Sequence, residues 1–284
     1  FPSACRDLTV PNENAPDMEQ VLSSPNDVES FVSGGFKLWW KGVNRTATGW
    51  GGCAPSLFLS NQSFQHAGVE NRCSVVTYSL IPRIPIVIDP TETHYLNPTI
   101  PWVGSYQAIS AVAQGLRALQ NPEVSEAMDP DRAQRLRAFG KLIQGLAHGT
   151  VALLYDRGFI LDETTDPTQR GEPVEYSALL EAAFGYFDEA IQLASGAEFT
   201  IPFQWMRAEP TSQDLIRLIR SYKARFRAQV ARTPEERASV DWASVVADVE
   251  GGLLSTFTIN QDWTAGWSNS LLMIGPWPYN TAFP

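Results

Sequence analysis

Histidine and cysteine are scarce in this chain, three of each among 284 residues, and neither type is grouped. No Cys-x-x-Cys and no His-Glu-x-x-His occurs, the spacings that bring two zinc ligands together on a turn or a helix face, so no metal centre and no cofactor are expected. The EF-hand spacing is missing as well. A Gly-x-Ser-x-Gly elbow and a Gly-rich phosphate loop ending in Lys-Ser/Thr are both absent, which removes common routes to serine-hydrolase and nucleotide chemistry. Apolar runs are short. The longest, such as Ile84 to Ile88, have strand length, far below the ~18 residues that span a bilayer. Positive charge is in deficit, 21 Lys and Arg against 31 Asp and Glu, for a net charge of −10. The basic stripe of a nucleic-acid binder is missing. The densest basic stretch, Arg217 to Arg232, spreads its charges around a helix and reads as a solvated face.

Aromatic side chains, by contrast, are plentiful: nine Trp, eight Tyr and fourteen Phe. Such residues fill cores or offer flat stacking faces, and the count does not choose. The length suits one large domain or two small ones.

The chain divides by composition. Residues 1–16 are polar and rich in Pro and Asn, and read as an extended tether. Asp17 suits a helix N-cap. Asn26-Asp27 opens a second helix, in which Val28, Phe31, Val32, Phe36 and Trp39 recur at helical spacing. Residues 42–104 hold much Gly, Pro, Asn, Ser and Thr and read as long ordered loops, with a short helix over Pro55 to Gln65. Helices are then predicted over about Val103–Gln120, Asp131–Arg157, Tyr176–Ala194, Ser212–Ala231 and Val240–Leu254. Thr211-Ser212 and Asp241 serve as caps, and Pro234 suits a first turn. Gly140, Gly145, Ala147 and Gly149 would let a neighbouring helix approach. Ala183, Phe187 and Ala190 carry the small–aromatic–small spacing of the second helix of a tetratricopeptide repeat. The fold expected is mainly α, an irregular tetratricopeptide-like helical repeat (α-solenoid) with long ordered loops. Residues 17–255 form the helical domain. Residues 256–284 form an aromatic-rich segment that reads as the start of a truncated C-terminal part.

Four segments in this order resemble the SusD/RagB family. Cys5-Arg6-Asp7-Leu8-Thr9-Val10-Pro11-Asn12 looks like its lipoprotein start. Arg137 to Leu142, continuing through Ala152 to Gly158, resembles its long helix and the turn that follows. Tyr176 to Leu180 with Phe187 to Ile191 is similar to the next helix. Ala224 to Phe226, with Arg232 to Arg237 and Asp241-Trp242, looks like the next helical pair. Family members are usually longer, and four residues precede Cys5 here. The resemblance implies a lipid-anchored protein of the outer membrane, facing the cell exterior, that caps a SusC-like TonB-dependent transporter and hands it oligosaccharides or other nutrients.

Sugar capture needs flat aromatic faces and groups that bond hydroxyls. The candidates are Trp50, Tyr95, Trp102, Trp263, Trp267 and Trp277, with Asn61, Gln65, Asn71 and Asn97 for hydroxyls. Each Trp has a core reading of at least equal standing. Trp39, Trp205 and Trp242 are assigned to packing. Cys5, preceded by small residues, is the expected lipid anchor. Cys53 and Cys73 either form a disulfide, which is the expectation in an oxidising compartment, or stay as buried thiols. His66 and His94 read as surface groups and His148 as a packed, hydrogen-bonded one. Asp162-Glu163 and Glu172/Glu175 are the nearest carboxylate pairs, and both read as solvated. No catalytic residue is assigned. The rival readings are a helical adaptor that binds protein or peptide and an all-helical glycoside hydrolase with two carboxylates across a cleft.

Overall fold

Val28, Val32, Phe36 and Trp39 lie on one stripe of a helix, and all four are buried. The computed structural model describes residues 21–44, 67–68, 89–91, 96–166, 168–169, 171–262, 264–267 and 281–282. Among these the chain is mainly α-helical, with several packed helices. They are α1 (Pro25–Asn44), α2 (Leu96–Ala118), α3 (Pro122–Glu126), α4 (Pro130–Leu154), α5 (Tyr176–Ala194), α6 (Phe203–Met206), α7 (Ser212–Gln229), α8 (Pro234–Ala238) and α9 (Trp242–Glu250). Two short antiparallel pairs accompany them. β1 (Ala67–Gly68) pairs with β4 (Thr281–Ala282), and β2 (Arg157–Gly158) with β3 (Val174–Glu175).

The caps explain where the helices begin. Asp129 accepts from the backbone N–H groups of Asp131 and Arg132 ahead of α4. Thr211 and Asp214 form a capping box on α7, and Asp241 accepts from Ser244 N on α9. Each cap satisfies donors that the first turn leaves unpaired, worth about 1 kcal/mol.

Helix α4 is the centre of the packing. Leu136, Phe139, Leu142, Ile143, Leu146 and Val151 are fully buried. Its small residues seat aromatic rings. A Cβ on Gly145 would lie 2.4 Å from a Phe187 ring carbon of α5, and one on Gly149 would lie 2.1 Å from Phe226 of α7. Helices α1 and α2 run antiparallel and touch backbone to backbone, since a Cβ on Gly104 would come within 2.5 Å of Gly42 Cα. Trp39 ties α1 to α4 through its Nε1–H, which donates to Thr150 Oγ1 at 2.9 Å.

Four expectations need correction. Helix α2 begins at Leu96 rather than Val103, carrying Pro101 within it. The lost backbone bond is tolerated because α1 packs on the same stretch, with Gly42 near Gly104 and the Ile100 carbonyl. Helix α9 is shorter than predicted. The short helices α3 and α6 carry no long periodic pattern and were not foreseen. Trp242, assigned to packing, is 42% exposed, with Arg237 over its ring at 4.9 Å. Trp39 and Trp205 lie in the core as expected, and Ala183, Phe187 and Ala190 are fully buried. Asp17 and the helix predicted over Pro55–Gln65 lie outside the described residues.

Candidate functional site

One stripe of α7 runs from buried Leu218 through half-buried Tyr222 to exposed Arg225. Leu218, Tyr222 and Arg225 follow each other at intervals of four and three, so they share a face. Together with Ser221 they form one wall of a cleft of about 470 Å³. Trp40 of α1 lines it as well. The strap of residues 253–261 supplies the rest of the lining through Leu253, Phe257, Thr258, Ile259 and Gln261. The volume falls in the range of small-ligand sites.

The strap is held at both ends. At one end, Leu253 N donates to Ser221 Oγ at 3.0 Å. At the other, Arg207 and Asn260 exchange bonds: Asn260 N donates to Arg207 O at 2.9 Å, and Arg207 Nε donates to Asn260 O at 3.0 Å. Asp262 then closes a tight turn. Its backbone exchanges bonds with Trp267 at 2.7 and 2.8 Å, and its carboxylate accepts from Thr264 and Ala265. These bonds hold the Asp262 carboxyl below the usual carboxylate range, the Thr264 hydroxyl contributing most.

The aromatic wall has depth. Trp40 lies 6.1 Å from the Trp267 ring and 6.5 Å from Phe36, so its inner edge rests on the core. Among the described residues the Trp40 Nε1–H is buried with no acceptor, which costs about 1–3 kcal/mol. Burial pushes the Tyr222 hydroxyl pKa up against the opposing pull of Arg225, so the phenol enters any contact as a neutral donor. The cleft thus offers aromatic faces, a guanidinium and the Tyr222 and Thr258 hydroxyls together.

A second polar cluster lies under the turn 159–166. Lys141, Gln144 and His148 share a face of α4. Glu163 bonds Lys141 at 2.7 Å and accepts from Gln144 Nε2 at 2.7 Å. Tyr186 of α5 donates to Asp162 Oδ2 at 3.0 Å. The Asp162-Glu163 pair, expected to be solvated, is instead packed into the fold: the Glu163 side chain is 11% exposed. The reason is that Arg117 of α2 grips the turn, donating to the carbonyls of Glu163 and Thr165, and presses it onto α4. Burial pushes the Asp162 carboxyl up, but bonds from Thr164, Tyr186 and Thr165 outweigh it and hold the group below its usual range. A general acid needs the opposite shift. His148 is buried as expected. Its Nδ1–H donates to Gln144 O and its Nε2 accepts from Leu161 N, which fixes the neutral tautomer. Burial lowers its pKa to about 4. Every ionised group here has a partner inside the fold, and the cluster clamps a turn.

Of the predicted ligand residues, three are placed. Trp102 is half-buried among Tyr106, Tyr155 and Phe159, with ring centroids 4.7, 5.1 and 6.4 Å away. It does not line the cleft. Trp267 is 3% exposed and backs the cleft wall rather than presenting a face. Asn97 falls in the first turn of α2. Trp50, Tyr95, Trp263, Trp277, Asn61, Gln65, Asn71, Cys5, Cys53 and Cys73 lie outside the described residues. The sequence reading missed Trp40, Tyr222 and Arg225. The signal available was the Leu-Tyr-Arg stripe at helical spacing inside the basic stretch. Among the described residues no three His, Cys, Asp or Glu side chains are grouped to hold a metal ion, and no helix is long and apolar enough to cross a membrane.

No family model, no curated protein and no solved structure matches the chain.

Proposed function

We propose that this chain is a binding protein that captures a glycan or related nutrient in the cleft between α1, α7 and the strap 253–261. In this reading it works at the outer membrane, anchored through Cys5, and delivers its cargo to a SusC-like TonB-dependent transporter without turning it over. The observation that carries the reading is the composition of the cleft. Trp40, Tyr222 and Phe257 supply aromatic surface, and Arg225 with the Tyr222 and Thr258 hydroxyls supplies hydrogen-bonding groups within the same 470 Å³ or so. Pyranose rings present an apolar face and a rim of hydroxyls, and need both.

Further support comes from order. Three of the four segments that resemble the SusD/RagB family span α4 to β2, α5, and α7 to α9, and Cys5 to Asn12 lies outside the described residues. The finer fold reading, an irregular tetratricopeptide-like repeat, rests on Ala183, Phe187 and Ala190, which pack α5 against α4.

A helical adaptor is the second reading, favoured by one observation. On and just after α9, Trp242, Val246, Val249 and Leu254 are 42%, 55%, 58% and 77% exposed. In the capture reading this apolar face is a surface for the transporter.

The test is a glycan array followed by calorimetry. Capture predicts saturable binding of one saccharide class with no released product, and Trp40→Ala or Tyr222→Ala weakening it about tenfold, near 1.4 kcal/mol. Binding unchanged in both variants removes the cleft from the account. A full array without binding, alongside peptide binding blocked by Val246→Asp, establishes the adaptor.

A further inference from the structure

The strap 253–261 lies in no helix or strand, yet it supplies five of the ten residues that line the cleft. Residues 254–259 make no hydrogen bond among the described residues, and only Phe257 and Ile259 of that stretch pack against the core. Where this wall stands is therefore set at its two ends. The first end has one bond, from Leu253 N to Ser221 Oγ. Gly251 and Gly252 come just before it, with the backbone freedom that a hinge needs.

The second end is gripped by one residue that is not itself part of the lining. The Arg207 carbonyl accepts from Asn260 N at 2.9 Å and from Asn260 Nδ2 at 3.4 Å. Its Nε donates to Asn260 O at 3.0 Å, and a terminal amino group lies 3.3 Å from Asp262 Oδ2. Asp262 opens the turn that leads to Trp267, the buried ring behind Trp40. One side chain thus fixes both the strap and the turn that backs the aromatic wall.

The backbone of Arg207 gives a second, independent sign. It closes α6 at φ 60° and ψ 26°, its N–H on Phe203 O, and is the one non-glycine residue at positive φ among the described residues. A helix end of this hand favours glycine, because any Cβ is crowded there. An arginine at this position gives up local stability for what its side chain holds.

Resting on the capture reading above, we infer that Arg207 is a positioning residue for the cleft. It holds residues 253–261 in place as a wall, and loss of its grip on Asn260 and Asp262 lets the strap swing out about Gly251-Gly252 and admit a solute. The helical core stays folded while this happens, since the strap lends it no backbone bond between 254 and 259.

The experiment uses the full chain, with no saccharide added. One variant carries Leu218→Cys, a position that lines the cleft and is 6% exposed; a reference variant carries Ala138→Cys, fully buried in α4. Labelling by N-ethylmaleimide is followed peptide by peptide by mass spectrometry, so the three native cysteines are read separately. The Leu218→Cys thiol is expected to react at least about tenfold faster than the Ala138→Cys thiol, through local opening. Arg207→Gly relaxes the backbone and removes the guanidinium. It is expected to speed Leu218→Cys labelling about tenfold further, while the Ala138→Cys rate and the thermal melt stay close to their parental values. Arg207→Lys, which keeps the charge without the planar fork, falls between the two. Equal acceleration at both thiols with a lower melt makes Arg207 a support of the whole fold and overturns the inference. No acceleration at Leu218→Cys in either Arg207 variant overturns it as well. Either failure leaves capture standing, whereas a parental chain that binds nothing on the glycan array removes capture whatever the labelling shows.

Discussion

Glu163 and Glu189 both reach Lys141 Nζ at 2.7 Å, but they are not equivalent. The Glu163 side chain is 11% exposed and also holds Gln144, while Glu189 is 52% exposed. Removing Glu163 leaves a buried amide without its acceptor and an ammonium half-paired, so Glu163→Ala is expected to cost about 3 kcal/mol. Glu189→Ala removes a solvent-screened partner and should cost less than about 1 kcal/mol. Urea denaturation separates the two, and equal losses would show that the turn 159–166 is not clamped. His148 gives the cluster a pH signature. Its pKa falls from 6.5 to about 4 on folding, because burial disfavours the imidazolium. Between those values the unfolded chain binds the extra proton, so stability drops as pH falls from about 6.5 to 4 and is complete above that window. At about 1.4 kcal/mol per pH unit, the contribution approaches about 3 kcal/mol. His148→Gln should be less stable at pH 7.5 yet show a flatter profile between pH 4 and 6.5. An unchanged slope would assign the acid sensitivity to other groups.

At the scale of elements, two glycines of α1 and α2 behave oppositely. Gly104 faces Gly42 so closely that a methyl group would meet backbone at 2.5 Å, and backbone cannot rotate away. Gly104→Ala should therefore destabilise by about 1–3 kcal/mol. Gly34 has nothing within 4 Å of its missing Cβ, and Gly34→Ala should stabilise by up to about 1 kcal/mol through helix propensity. Thermal melts of the two variants shifting the same way would contradict this packing. These contacts also mark what the sequence could show. The periods of α1, α4, α5 and α7 were legible because a buried stripe repeats every three to four residues. The caps Thr211 and Asp241 were legible because their side chains act within one turn. The cleft was not, since its walls come from α1, α7 and a strap far apart in the chain. The burial of Glu163 was not either, because it depends on Arg117, some 46 residues away, pulling the turn inward. Nor did composition separate Trp267, which faces the core, from Trp40, which lines the cleft.

At the scale of the whole molecule, a helical core around α4 carries the cleft on one flank and an apolar face along α9. The strap 253–262 is the joint between them, pinned by Ser221 at one end and Arg207 at the other. It also carries Leu253, Phe257 and Gln261 into the cleft, so an occupant would rest on it. The direct test is hydrogen–deuterium exchange of the full chain with and without a saturating saccharide found on the array. The account predicts new protection in residues 218–225 and 253–261, with the α9 face unchanged. Protection confined to α9, or to helices remote from both walls, would contradict the assignment of this cleft as the binding site.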